Sequence, residues 1–127
     1  LEATNSDWAA AQLDPDGFAA LYTGNPELGE ELIRLAGRNE SHRGRIIAAL
    51  EPVALAGAYD GAEFAEMADA FAVTESRPQP YGTQLTCVDG MTERWPLANP
   101  DATDEARNAI GLDPLVPVEP EACETDD

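Results

Sequence analysis

Tyr81-Gly82-Thr83-Gln84-Leu85-Thr86-Cys87-Val88-Asp89-Gly90-Met91-Thr92-Glu93-Arg94-Trp95 is the stretch that decides the fold class. An Asp-Gly pair between two strand-like runs is a strong hairpin signal, because a two-residue type I′ turn needs positive φ at both central positions. A turn at Asp89-Gly90 fixes the register. Val88 then faces Met91, Thr86 faces Glu93 and Gln84 faces Trp95, all on one face of the ribbon. A lone hairpin is marginal in water, so it needs a packing partner. Just upstream, Arg77-Pro78-Gln79-Pro80 is excluded from a helix, since each proline disfavours helical backbone in the residue before it.

Everything further upstream reads as helix. Phe64, Met67, Ala68 and Phe71 recur at i, i+3, i+4, i+7 and predict an amphipathic helix from about Ala62 to Val73, with Met67 and Phe71 in the core. Before it, Ile46, Ile47, Leu50, Val53 and Ala54 form a second stripe, with Ser41 as a cap. Pro52 is expected to end that helix near Leu50 or kink it. Asn25-Pro26-Glu27 is a helix start of cap, proline and acid, followed by Leu28, Leu32, Leu35 and Ala36 at helical spacing. The first stretch is mixed. Ser6 is a candidate cap for a short helix, Asp14-Pro15-Asp16-Gly17 reads as a break, and Phe18 to Tyr22 as another short turn.

Downstream of the hairpin, Asn99-Pro100-Asp101 opens a last helix capped by Asp101 or Thr103 and stopped at Gly111. The expected fold is mainly α with one β-hairpin, an α+β class in which a small helical array packs on the hairpin. Residues 1–115 form one domain with the hairpin at 81–95. Residues 116–127 form an acidic, Pro-spaced tail carrying Glu119, Glu121, Glu124, Asp126 and Asp127, of the kind usually solvated.

Charge narrows the function. The 127 residues carry 25 acids against 7 basic residues, a net charge of −18. All seven cations are Arg. Such a chain lacks the cationic footprint that holds a nucleic-acid backbone, and an anionic membrane surface repels it. No apolar run approaches the ~20 residues that span a bilayer, so no membrane insertion is expected. A protein partner with a basic surface is the natural complement. The first residue, Leu1, is not Met. A cleaved leader would make the protein periplasmic or secreted; a trimmed start would leave it cytoplasmic. Cys87 and Cys123 are the only cysteines. In an oxidising compartment they are expected to pair and pin the tail to the hairpin.

The segment Asp69 to Leu115 resembles the signature of an uncharacterised bacterial family, a domain of unknown function. The residues that carry the resemblance are Pro78-Gln79-Pro80-Tyr81-Gly82-Thr83-Gln84, then Pro96-Leu97, Asp104-Glu105 with Arg107, and Gly111-Leu112-Asp113-Pro114-Leu115. Where the family pattern has an Asp-Arg pair on the helix, this chain has Asp69-Ala70. The resemblance implies a shared fold and no particular activity.

Chemistry could reside in the same run. In an extended chain alternate residues share a face, which places Arg77, Gln79, Tyr81 and Thr83 together. That strip, with Gln84, is the candidate binding site. It is either a recognition surface or a set of groups that hydrogen-bond the ribbon to its surroundings, and the structural role is favoured. Arg38, His42, Arg43 and Arg45 are the only basic concentration; they could hold an anion, and neutralising nearby carboxylates is the better reading. His42 is the only histidine, which excludes a multi-His metal site. Asp14-Pro15-Asp16-Gly17 starts like a calcium loop, but Phe18 stands at the next ligand position. No metal, no cofactor and no nucleophile motif is expected. Two functions survive. One is a non-catalytic interaction module, an accessory subunit or an inhibitor of a basic partner. The alternative is a small enzyme using Arg77, Tyr81, Thr83 and Gln84 with Asp69 or Glu75 as acid or base. An open pocket lined by the strip would favour the enzyme; a packed-away strip would favour the module.

Overall fold

The computed structural model describes residues 2–124. The expectations placed on Leu1, Asp126 and Asp127 lie outside them. The described residues form six α-helices and a two-stranded antiparallel hairpin, a small α+β fold. The chain divides into two compact units, Leu1–Phe64 and Ala65–Asp127.

The first unit holds α1 (Glu2–Ala11), α2 (Pro15–Gly24), α3 (Pro26–Ala36), a single 3-10 turn at Glu40–His42, α4 (Arg43–Leu55) and the start of α5 (Gly61–Thr74). Its interior is built from Leu13, Phe18, Leu32, Ala49, Leu50, Val53 and Phe64, all essentially buried. The start of α3 is as the sequence indicates: the Asn25 side chain accepts from the Leu28 amide, with Pro26 in the first turn. The apolar face of α3 seats Leu32 and Ala36. Gly29 belongs to that buried face because Tyr22 lies on it; a Cβ there would collide with the ring. Tyr22 meets Tyr59 edge-on at 6.1 Å and donates its hydroxyl proton to Glu30. Burial, and then the Glu30 carboxylate, push the Tyr22 phenol well above its ordinary range.

Three local expectations are corrected here. Ser6 caps nothing: it lies inside α1, buried, and its hydroxyl donates to the Ala36 carbonyl at 2.9 Å. A buried hydroxyl needs a partner, and the end of α3 supplies one. Ser41 does not cap α4 either. Asn39 caps the 3-10 turn, accepting from the Ser41 amide, and α4 starts at Arg43 without a side-chain cap. Finally, α4 runs through Pro52 to Leu55. Pro52 gives up one amide bond, whereas continuing the helix buries Val53 and Ala54 completely or nearly so.

The second unit contains most of α5, then β1 (Leu85–Val88), β2 (Met91–Arg94), α6 (Thr103–Ala109) and a C-terminal strap. The hairpin has the expected register, Thr86 opposite Glu93 and Val88 opposite Met91. Asp89 and Gly90 both have positive φ, 50° and 81°. The Phe71 and Met67 side chains are only half-buried, so the core face of α5 is carried by Ala65, Ala68, Asp69 and Ala72. The cap of α6 also differs. Ala102 holds the cap position, and Thr103 is the first helical residue, buried, its hydroxyl bonded to the Asn99 carbonyl.

The strap is tied to the hairpin. The Thr92 amide donates to the Glu121 carbonyl at 2.8 Å and the Cys123 amide to the Gly90 carbonyl at 2.9 Å, which pairs Met91 with Ala122 along the outer edge of β2. Arg94 Nη2 donates to the Val116 carbonyl. Cys87 and Cys123 form a disulfide across 36 residues of sequence. In the chain-entropy model a loop of that size contributes about 4 kcal/mol. Reduction should therefore lower the urea-unfolding free energy by about that amount, measured on oxidised and reduced protein side by side; equal stabilities would show that the covalent tie adds nothing to the fold.

Candidate functional site

The run from Arg77 to Gln84 lies in the second unit between α5 and β1. Gln79 is fully buried. Its side-chain amide donates to the Gln84 carbonyl at 3.1 Å and to the Trp95 carbonyl at 2.7 Å, while its Oε1 accepts from the Gln84 amide at 2.8 Å. The Gln79 backbone bonds as well, its N–H to the Pro96 carbonyl and its carbonyl from the Ala98 amide. Every donor on Gln79 is used. Since Gln84 and Trp95 are the base of the hairpin, one side chain closes that base from beside it.

Asp69 performs the matching task from α5. It is fully buried, and its two carboxylate oxygens accept from the Tyr81 and Thr83 amides, each at 2.8 Å. Two amides two residues apart can reach one carboxylate here because Gly82 between them has φ of 84°. A side chain at Gly82 is strained by that backbone conformation, and Leu115, whose methyl carbons lie 2.9 Å from where a Cβ would stand, would have to shift to admit it. Burial raises the Asp69 pKa. The hydrogen bonds from Thr83 and Tyr81 and the charge of Arg107 oppose that shift without cancelling it.

The predicted strip is not a single face. Positive φ at Gly82 interrupts the two-residue alternation. Gln79 and Tyr81 are buried, Thr83 and Gln84 half-buried and bonded to one another through the Gln84 amide nitrogen and Thr83 Oγ1. Arg77 is separate and exposed, its guanidinium 5.3 Å above the Phe71 ring. Its carbonyl accepts from the Trp95 indole. Glu75, the other carboxylate considered as an acid or base, is exposed just past the end of α5.

Sequence reasoning named Arg107 without giving it a task. Its Nη1 donates to the Tyr81 carbonyl at 2.9 Å and its Nε to the Asp113 carbonyl at 2.7 Å. Asp104 accepts from the Leu115 amide. Together they fasten the Gly111–Leu115 segment to α6 and to the run. The signal was present in the motif itself: an Arg and an Asp three positions apart on a helix that ends four residues before Asp113.

In the first unit, two members of the basic group have these contacts. His42 Nε2 meets Asp7 Oδ1 at 2.7 Å, while Arg45 Nη1 reaches the Ala10 carbonyl at 3.4 Å. A recess of about 350 Å³ lies there, lined by Ala11, Leu13, Asp14, Arg45 and Ala48. No residue of the Arg77–Gln84 run lines it. Among the described residues, no group of three or more His, Cys, Asp or Glu is placed to hold a metal ion, and no helix is long and apolar enough to cross a membrane.

A family model for a family of unknown function (DUF6624) matches residues 26–119. The match covers most of the chain, all of α3 to α6 and the hairpin, and the chain belongs to that family. No curated protein and no solved structure matches it.

Asp69→Asn tests the carboxylate's task. An amide oxygen accepts from one of the two backbone N–H groups and its NH₂ confronts the other, so the variant should lose about 1–3 kcal/mol at neutral pH. The pH dependence has a definite sign. Because the folded-state pKa is raised, the folded chain keeps a proton on Asp69 at pH values where the unfolded chain has released it, and stability from this group falls as pH rises through that window. The gap between wild type and variant in urea unfolding should therefore be wider at acid pH, below the folded-state pKa, than at pH 7.

Proposed function

We propose that the protein is a non-catalytic interaction module, an accessory subunit or inhibitor whose partner presents a basic surface. The observation that carries this reading is the use of the polar run. Gln79 and Tyr81 are buried, Thr83 and Gln84 are half-buried and bonded to one another, and Gln79 and Asp69 hold the base of the hairpin. What faces outward is charge. The second unit has three arginines, Arg94 and Arg107 bonded to backbone carbonyls and Arg77 over the Phe71 ring, against eleven exposed acids. The exposed acids, Glu66, Glu75, Asp89, Glu93, Asp101, Asp104, Glu105, Asp113, Glu119, Glu121 and Glu124, thus dominate that surface. A field of this kind speeds and selects the encounter with a cationic partner.

The enzyme reading has one observation on its side, the raised pKa of buried Asp69, and that carboxylate has both oxygens taken by backbone amides. The resemblance to a bacterial family through Pro78–Gln84 and Gly111–Leu115 fits the same picture: these motifs are the fastenings of the second unit, and we take the source as bacterial.

Affinity capture from the native source, with mass spectrometry, supplies the partner for the test. Its association rate should fall steeply between low and physiological salt while dissociation changes less. A flat association rate would remove the electrostatic half of the reading. Turnover of a small substrate that is lost in Tyr81→Phe or Arg77→Ala, with the fold intact, would remove the other half.

A further inference from the structure

Among the described residues of the second unit, every large apolar side chain that is strongly exposed lies on the hairpin or the strap: Leu85, Val88, Met91 and Val116. Strand register sorts them. Val88 and Met91 are directly opposite one another, and the strap places Ala122 beside Met91. Residues paired across neighbouring strands share a face, so Val88, Met91 and Ala122 form one exposed apolar row across three chain segments. Cys87 belongs to the other face of β1, as does Leu85, by the two-residue alternation. The disulfide to Cys123 leaves from that opposite face and holds the third member of the row in place.

The surroundings of the row carry one sign of charge. Asp89 stands at the turn, Glu93 one step along the same face, Glu124 two residues beyond Ala122, and Glu121, next to Ala122, leaves from the opposite face; all four are exposed. The one cation of the hairpin, Arg94, points to the opposite face and is bonded to the Val116 carbonyl. An apolar centre within an anionic rim fits one chemistry, a protein segment whose apolar side chains are bordered by Lys or Arg.

We propose that the Val88–Met91–Ala122 row is the docking surface of this protein, and that its occupant is a cationic, apolar-centred segment of a protein partner. The proposal rests on the interaction reading above and deepens it by assigning the surface. The apolar row supplies the short-range hold and the rim supplies steering. Affinity is then sensitive to Val88 and Met91, and association rate to Asp89, Glu93, Glu121 and Glu124.

The test is an amide-shift NMR titration of the full oxidised chain with three short synthetic peptides: alternating lysine and valine, alternating lysine and serine, and alternating glutamate and valine. The lysine–valine peptide should bind saturably, with shifts concentrated at residues 86–93 and 121–124. It should bind about ten-fold tighter than lysine–serine, and Val88→Ser with Met91→Ser should weaken it by about ten-fold. Glutamate–valine should not bind. Both substituted side chains are exposed, and the dispersion of the remaining amide signals confirms that the double variant is folded. Saturable lysine–valine binding mapped elsewhere, untouched by the double variant, overturns this surface and leaves the interaction reading standing. Equal, unsaturated shifts with both lysine peptides over the whole acidic surface overturn the surface and the interaction reading together. Binding of glutamate–valine equal to lysine–valine overturns the charge argument that selects the occupant.

Discussion

The carboxamide of Gln79 is the group on which the second unit turns. Fully buried, it must find partners for two donors and an acceptor, and it finds them all in the two residues that form the base of the hairpin. Asp69 does the equivalent work one step along, replacing a missing strand partner for the Tyr81 and Thr83 amides. Two side chains thus stand in for a sheet ladder in a segment that prolines and Gly82 keep from being one. Removing either leaves buried backbone groups unpaired, which costs more than the bonds themselves contribute.

This constraint explains why much of the run is occupied within the fold. The Gln79 side chain is fully engaged, the Tyr81, Thr83 and Gln84 backbone amides are bonded to side chains, and Gly82 keeps its backbone close to Leu115 and Leu97. The outward-facing features of the unit are the acids and the exposed row on the hairpin and strap. Function is therefore better sought where polar capacity is unspent than where polar residues are dense in sequence.

Much of this was legible from the sequence. Asp89-Gly90 gave the turn and hence the register, because few residues accept positive φ at both positions. Asn25-Pro26 marked the start of α3 for the same local reason: the cap bond is made within three residues. What was not legible is what depends on distant partners. Ser6 looked like a cap and is a tie to Ala36, thirty residues away. Pro52 looked like a helix end or a kink; the helix does not end there, because the burial of Val53 and Ala54 outweighs one absent amide bond. The single face expected for Arg77, Gln79, Tyr81 and Thr83 is not formed: Arg77 is exposed while Gln79 and Tyr81 are buried, and the positive φ at Gly82 breaks the alternation before Thr83.

Native-state hydrogen exchange on the Tyr81, Thr83 and Gln84 amides tests the central claim most directly, because these three donate to side chains of Asp69 and Gln79. If those side chains act as the ladder of the second unit, the three amides exchange only with its global opening, at the same free energy as the inward-bonded amides of Thr86 and Glu93. Exchange at the rate of an open loop, with Thr86 and Glu93 still protected, would contradict it.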